Sequence, residues 1–576
     1  ASSSTALSGV QTLTVVVSGS GGSSTATTTL SLTVNPATRI ITQPQAQVAA
    51  CLGSTVSLSV AAAGSGSMAY QWYKNGNLLA GQTSSSLSLT GIGVNDAAIY
   101  GVVVTAGCGS ATSTSTTLTL NGLYVTQAGA GLQNGTSWSN AYSATALQTA
   151  INQAASTTAV GCPTGMVWIG AGIYTPTSGT DRSISFNMRS RVLIYGGFVG
   201  NELFLSQRPA SYYGKPSSTT LSGDIGAAGN TSDNSYHVVY NRNVDSTALL
   251  NGVVISGGNA VSSNALIWFG GGVFNDGSSS GFANPRFEFC TITNNQASQG
   301  GGMAIVGTAG KSSPTLTGCN FVGNMAPLQG GGLFVSGQAG GLAKPVLRSC
   351  VLFENQSQGG TAIATVAETS GTVVVGLRNC TLLNNTTYSA NVTPPNRPTD
   401  YSLITLVNCI VRNTLNEWYN GQDNPTSTTI SYSALDFPSP GVGTGNTQAA
   451  PQFVNEAKGD LRLQASSPLL NAGDPASTTA LVGAVDGWGQ TRIVDGRVDM
   501  GAFEYQGSTP TVVYTIKNGN WSDNATWNVG RPPMSAEGAG IYHVVQVNGS
   551  FPVGQMTFGP GGQLVFGAGN QVQPNP

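Results

Sequence analysis

Apolar residues along this chain come in runs of one to three, set between hydroxyl and amide residues and broken by glycine. That pattern predicts many short strands and little helix. It recurs most clearly between Pro285 and Asn413. An apolar residue stands at Phe287, Leu316, Leu347 and Leu377, another at Ile292, Phe321, Leu352 and Leu382, and an asparagine at Asn295, Asn324, Asn355 and Asn385. Cysteine falls inside this frame at Cys290, Cys319, Cys350, Cys380 and Cys409, in steps of 29, 31, 30 and 29 residues. A glycine cluster and a short apolar strand precede it, as in Gly270–Phe274, Gly300–Met303 and Gly330–Phe334.

A fixed period of this size marks stacked units that cannot fold singly. Wound into a coil, each strand pairs with its equivalent one rung away, at about 4.8 Å, and like residues lie over like. Small, readily buried cysteines then form a file of free thiols inside the coil. Bridges between neighbouring rungs stay open, because a disulfide needs Cα atoms about 5.5 Å apart. Parallel side chains make the S–S dihedral hard to satisfy, so thiols are expected. The asparagines are expected to form an interior ladder, bonded to turn backbone and to one another. Surface asparagine in loops is the plainer alternative.

Four segments follow from reading outward. Residues 1–37 hold two alternating stretches, Gln11–Val17 and Thr29–Val34, read as a hairpin closing a preceding sandwich module. Residues 38–121 alternate as an independent sandwich, residues 122–507 carry the coil, and residues 508–576 are a strand-rich tail, a further module incomplete as it stands. Ala146–Ala154 has apolar positions at helical spacing and is expected to cap the coil's open end. Val253 and Gly258 occupy the cysteine and asparagine places of a degenerate first rung. A lateral loop is expected between Tyr388 and Asp400, and Pro451–Tyr505 is expected to supply closing rungs and a seal. Cys162 stands outside the cysteine series.

Composition narrows the role. Charged residues make up 8% of the chain, against roughly 25% in ordinary soluble proteins, and the formal charge is -2. That excludes an electrostatic funnel for nucleic acid or an anionic membrane. No apolar run is long enough to span a bilayer, so direct membrane insertion of this segment is not expected. The chain opens on Ala1 and is read as mature or excised from something longer.

Residues 38–121 resemble an immunoglobulin-like sandwich, with Trp72 in the core position and Tyr100, four after Asp96, at the tyrosine corner. Val102 stands where the F-strand cysteine is usual; the resemblance implies instead a Cys51–Cys108 bridge near the domain end. The Gly-Gly-x-apolar strands and turns such as Phe321–Asn324 resemble right-handed parallel β-helix repeats of the chlamydial polymorphic outer-membrane-protein kind. Trp168–Tyr174, Leu221–Asp224, Asn471–Asp474 and Asp499–Tyr505 are similar to large surface proteins of Bacteroidetes secreted by the type IX route. The fold implied is all-β, a right-handed parallel β-helix preceded by the sandwich, displayed outside a bacterial cell.

Parallel β-helices also serve as polysaccharide lyases and glycoside hydrolases, which require carboxylates about 5–9.5 Å apart or a base beside a calcium-held acidic sugar. Glu288 and Glu354 are isolated from one another, and Arg286, Arg348 and Arg378 read as solvated strand-face residues. The densest acidic set is Asp474, Asp486, Asp495 and Asp499 with Glu504: calcium candidates, or acceptors for backbone donors in terminal turns. His237 lies in an apolar strand and reads as a rung position. Trp268, Tyr388, Trp418 and Tyr419 are candidates for stacking on sugars, with packing under loops as the alternative. No cofactor is expected beyond calcium. The function expected is an extracellular adhesin or structural surface protein, a rigid non-catalytic rod that meets carbohydrate or protein on another surface. The alternatives are a subunit of a filament or layer built from copies of itself, and an enzyme of the lyase or hydrolase type.

Overall fold

The computed structural model describes residues 9–18, 25–156, 162–209, 217–262, 268–387, 401–412, 418–419, 428–436 and 443–507, and within the tail 512–514, 518–523, 526, 538–541, 544–548, 550–553, 556–558, 563–566 and 571–574. The fold is all-β: a parallel β-helix preceded by an immunoglobulin-like sandwich. Contacts divide the chain into two units. One is Ala1–Gly122 with Thr157–Gly165 and Asn201–Arg208; the other is Leu123–Ser156, Met166–Gly200 and Pro209–Pro576.

In the first unit, Ala98–Ala106 lies between Ala69–Lys74 and Thr116–Leu120, and Thr55–Ser59 pairs with Ser86–Thr90. Trp72 is fully buried, and its indole N–H donates to Ser84 O at 2.9 Å. The Tyr100 hydroxyl donates to Asp96 O at 2.8 Å, four residues back, and burial, with the Asp96 charge adding, pushes its pKa up to about 12.

The bridge differs from the implied one. Cys51 is joined to Cys162, with Cα atoms 5.3 Å apart, and Cys108 is a free thiol. Strand direction explains why. Gln47–Ala50 runs parallel to Thr117–Leu120, so Cys51 emerges beside Asn121, whose Nδ2 lies 3.7 Å from Cys51 Sγ and 3.5 Å from Cys162 Sγ. Cys108 sits in the hairpin turn after Ala98–Ala106, where its carbonyl accepts the Thr38 N–H. At about 3.3 Å per residue, the length of that strand separates the two sulfurs. Peptide mapping without reductant should therefore recover Cys51 linked to Cys162, with Cys108 open to thiol reagents. Cys51→Ser and Cys162→Ser should each lower stability by about 2–4 kcal/mol, whereas Cys108→Ser should lie within about 0.5 kcal/mol of wild type. A Cys51–Cys108 peptide would overturn the assignment.

In the second unit the coil has four walls, which among the described residues are parallel sheets of 13, 9, 6 and 5 strands. A representative rung runs from Met303–Val306 on the third wall to Thr315–Thr317 on the first, Asn320–Val322 on the second, and Met325–Gln329 on the fourth. Side chains alternate between faces, and in-register pairing lines the inward ones into columns. Phe287, Leu316, Leu347, Leu377 and Leu406 stack on the first wall; Ile255, Ile292, Phe321, Leu352, Leu382, Val411 and Leu435 on the second. All of them are buried.

Corners are made by single residues in the left-handed region, one just before each cysteine and one before each ladder asparagine. Phe289, Ser349, Asn379 and Asn408 take φ of 51, 52, 50 and 59°, and Asn294, Glu354 and Asn384 take 53, 53 and 54°. Gly318 and Gly323 occupy the same places with φ near 61 and 62°. The glycine clusters form the corner from the fourth wall to the third. A Cβ on Gly301 would fall 2.3 Å from Met325 O on the next rung, so only glycine admits that approach.

The helix α1, Leu147–Ala155, turns Leu147, Ala150, Ile151 and Ala154 inward. Leu147 and Ile151 face Ile169, Ile194, Leu221, Val239 and Leu250 of three walls across a small apolar hollow, so α1 covers the interior of the first rungs.

At the other end the chain departs from the expected closing rungs. After Thr447, which bridges to Ala434, residues 451–505 leave the coil and fold back over the outer face of the second wall. Outward positions there change along the stack. They are Thr291 and Thr293 on one rung, but Val351, Phe353, Leu383 and Ile410 on later ones, and these pack against Phe453, Leu461, Leu463, Leu469, Leu470, Met500 and Phe503. An apolar outer face has to be covered, and the returning chain covers it. In the tail, Val512–Tyr514, Gly538–Ile541 and Met556–Phe558 pair in parallel, as do Gly519–Asn520, Val544–Val547 and Gln563–Phe566. The tail thus repeats parallel stacking on a shorter period.

Candidate interaction surface

Two interior files run the length of the regular rungs. Cys290, Cys319, Cys350, Cys380 and Cys409 are buried free thiols at the corner between the first and second walls. Burial raises the pKa of Cys290 and Cys409 well above the ordinary thiol value, which makes them poor nucleophiles. At the next corner, Asn295 Nδ2 donates to Asn324 Oδ1 at 3.1 Å, Asn324 Nδ2 to Asn355 Oδ1 at 3.0 Å, and Asn355 Nδ2 to Asn385 Oδ1 at 2.9 Å. The Gly258 N–H donates to Asn295 Oδ1 at 3.0 Å and ends the file. Both files are scaffold. Chemistry available to a partner lies on the outer faces.

The third wall carries an aromatic set along its outer face. Pairing puts Tyr240, Phe274, Ala304, Phe334 and Ala364 in one outward column. The Phe269 ring lies 5.6 Å from Phe274 and 5.7 Å from Phe334, and the His237 ring 5.2 Å from Phe274. From Phe274 onward large and small residues alternate, so each phenyl ring packs against an alanine on the next rung. Phe274 and Phe334 are buried within this strip, while Tyr240, His237 and Phe269 are half-buried along its edge.

A polar knot closes the strip's first end. Tyr240 Oη donates to Asp276 Oδ2 at 2.7 Å, Arg242 pairs with the same oxygen at 2.6 Å, and Arg242 also reaches Ser278 Oγ at 3.2 Å. Burial, the Asp276 hydrogen bond and its charge push Tyr240 up to about 12; Asp276 is held below the usual range, hydrogen bonds from Ser278, Tyr240 and Arg242 outweighing the opposing effect of burial. The His237 Nδ1–H donates to Gly270 O at 3.0 Å, and burial lowers its pKa to about 4. Each titrating group is thus held away from neutrality, an arrangement suited to recognition rather than proton transfer.

The histidine sets a pH dependence. Its folded pKa of about 4 lies below the ordinary unfolded value of 6.5. The unfolded chain therefore binds the extra proton first, and stability present above pH 6.5 is lost as pH falls toward 4. The residue as a whole is half-buried, and with solvent screening the loss stays below about 3 kcal/mol. Urea melts at pH 7 and pH 4.5 should differ more for wild type than for His237→Gln; equal differences would discount the histidine.

The sugar-stacking candidates divide. Trp268 precedes Phe269 in the chain and is half-buried, and its indole N–H is buried with no acceptor among the described residues. Trp418–Tyr419 pairs with Ile363–Ala364, which places both residues on the third wall in register with the strip. Tyr388 lies outside the described residues.

The acidic candidates are not gathered into a metal centre. Among the described residues, no three His, Cys, Asp or Glu side chains are placed to hold an ion. Asp499 accepts the Asn471 and Tyr505 N–H groups, Asp486 those of Trp488, Gln490 and Glu504, and Asp474 that of Ala476. Asp495 makes its turn with φ near 54°. Beside them Arg492 is completely buried, 3.4 Å from Glu504, and donates to Ser349 Oγ at 2.8 Å. Burial raises the Glu504 carboxyl, the Asp499 charge adds to that, and Arg492 opposes both. This set locks the returning chain onto the second wall.

No protein-family model matches the chain, and no curated protein matches it. Solved structures do. A three-immunoglobulin-domain structure of titin, in an E-to-A mutated variant, is 16% identical with a TM-score of 0.15, covering 18% of this chain and 44% of that one. Extracellular domains 3–5 of Drosophila OTK are 17% identical with a TM-score of 0.17, covering 19% and 40%. The N-terminal four immunoglobulin domains of a Dscam1 isoform are 21% identical with a TM-score of 0.15, covering 18% and 26%. This chain spans less than half the length of each.

Sequence reasoning missed Tyr240, His237, Phe269, Phe274 and Phe334 as a surface set. Their signal was periodic: Phe274, Ala304 and Phe334 are each the second residue after a run of three glycines, and Ala364 comes 30 residues after Phe334. The period places them together, but only the register shows that they face outward.

Proposed function

We propose that this chain is an extracellular, bacterial surface protein in which the coil is a stiff, non-catalytic scaffold and the outer face of the third wall is adhesive. The observation that carries this reading is the strip from Tyr240 to Phe334, with half-buried aromatic edges and the Arg242 guanidinium beside them. Flat aromatic edges next to a hydrogen-bonding cation suit the apolar and hydroxyl faces of a carbohydrate. The Cys51–Cys162 bridge supports an oxidising compartment. Among the described residues, no helix is long and apolar enough to cross a membrane. Export by the type IX route belongs to the same proposal.

The test is a screen of immobilised glycans and intact cells against the chain, with Tyr240→Ala and Arg242→Ala as variants. Binding that both variants weaken at least tenfold, without release of new reducing ends or unsaturated products, is the expected result. Turnover of a polysaccharide would replace this reading with the lyase or hydrolase one. Binding untouched by either variant would move the adhesive face elsewhere.

A further inference from the structure

The loop between Thr219–Ser222 on the second wall and Val239–Asn241 on the third turns back on two carboxylates. Asp224 accepts the Gly229 N–H on both oxygens, each at 3.0 Å, and Asp233 Oδ2 accepts the Ala227 N–H at 2.9 Å. Ala227 and Gly229 belong to one turn, closed by the Asn230 N–H on Ala227 O at 3.0 Å. Two negative charges therefore converge on a single bend. Gly226, with φ near 70°, leaves room for one of them: a Cβ there would fall 2.7 Å from Asp233 Oδ2.

The same stretch holds three buried oxygens with no hydrogen-bond partner: Asp233 Oδ1, Asn234 Oδ1 and Ser235 Oγ. Asn234 is 4% exposed and Ser235 fully buried. Asn234 Nδ2 donates to Gly257 O at 2.6 Å, and that carbonyl lies 2.6 Å from where a Cβ on Gly223 would sit. The carboxamide is thus fixed against the Gly223–Asp224 turn with its oxygen left over. Ser235 is tied to the same turn through its N–H on Gly223 O at 2.9 Å. Arg182 is engaged elsewhere: its guanidinium donates to the backbone carbonyls of Asn234 and Asn259 at 2.6 and 2.9 Å and lies over the Tyr236 ring. It braces the loop and leaves both carboxylates without an ion pair to it.

Buried acceptors in native proteins are almost always satisfied. Adjacent unsatisfied acceptors beside two carboxylates call for an electrophile that meets several oxygens at once. Every donor atom in the set is oxygen, which selects a hard cation over zinc or copper. The irregular loop, open to water at Asp224, suits the loose shell of calcium better than the tight octahedron of magnesium. We propose that residues 224–235 form a calcium site, with Asp233 and Asn234 as side-chain ligands, Asp224 as the second carboxylate and water completing the shell. The ion would stiffen the crossing from the second wall to the third, ahead of the regular rungs.

The experiment strips the whole chain with a chelator and titrates calcium chloride by calorimetry, with circular dichroism to check the fold. One calcium per chain should bind, and magnesium should bind at least tenfold more weakly. The near-isosteric Asp233→Asn and Asp224→Asn should each weaken calcium at least tenfold, and Asn234→Asp, which adds charge at the same oxygen, should tighten it. No uptake by the stripped wild type, or uptake that all three variants leave unchanged, would overturn the site.

Discussion

Asn324→Ala should destabilise the coil by about 3–6 kcal/mol, more than any surface change on the same rung. The side chain works in three directions at once. Its Oδ1 accepts both the backbone N–H and the Nδ2 of Asn295, and its Nδ2 donates to Asn355 Oδ1 and to Ile292 O at 2.9 Å. Alanine leaves the Asn295 N–H buried and unpaired, at about 1–3 kcal/mol, removes the amide's bonds to Ile292 O and Asn355 Oδ1, each at about 0.5–1.5 kcal/mol, and opens a void. Asn324→Asp keeps the shape but cannot donate to Ile292 O or Asn355, and would bury an unpaired charge, so it should be at least as damaging. Denaturant melts of the two variants against Gly323→Ala, whose place at φ near 62° is a strained surface corner, separate ladder from corner. If Asn324→Ala melts within about 1 kcal/mol of wild type, the asparagine file is not what holds the second and fourth walls together.

The ladder was readable because it is a chain of identical residues at one period: when each asparagine satisfies its neighbour, the requirement propagates through the sequence at fixed spacing. The glycine clusters were readable for a related reason, since close approach of rungs at Gly301 admits no other residue. The partner of Cys51 was not readable. A contact over 111 residues depends on where an intervening loop runs, and no local spacing encodes that. The fold-back of residues 451–505 lies between these cases. Val351, Phe353 and Ile410 break the apolar–polar alternation in plain view, but a strand apolar on both faces reads equally well as one deep in a core. Only in-register stacking shows that one of those faces is the outside. The unsatisfied oxygens near Asp233 follow the same logic: Asp-Asn-Ser is an ordinary loop tripeptide until burial removes water from it.

Arg492→Ala should release the returning chain from the second wall while the first rungs stay folded. The guanidinium is fully buried and joins segments far apart in sequence: Ser349 Oγ on the coil, the carbonyls of Gly501 and Ala502, and the Glu504 carboxyl. Removing one partner of a buried pair costs about 3–5 kcal/mol, because Glu504 would remain out of water beside Asp499 with only the Asp499 and Val494 N–H groups to hold it. The loss should be local. Thr381 Oγ1 and the Asn379 side chain each make one further bond to the returning chain, at 3.0 and 2.9 Å, whereas the upstream rungs depend on their own ladders. Hydrogen exchange is the measurement. Amides of Leu461, Leu463 and Met500 should exchange orders of magnitude faster, and those of Ile292 and Phe321 should not change. Arg492→Lys should fall between, since a point charge cannot serve partners spread around a planar fork. The double change Arg492→Met with Glu504→Gln removes both charges and keeps most of the volume, so it should restore much of the protection that the alanine loses. Unaltered exchange at Leu461 and Met500 in Arg492→Ala would mean that apolar packing of Phe453, Leu469 and Phe503 alone holds the segment down, and that the buried ion pair contributes nothing to its closure.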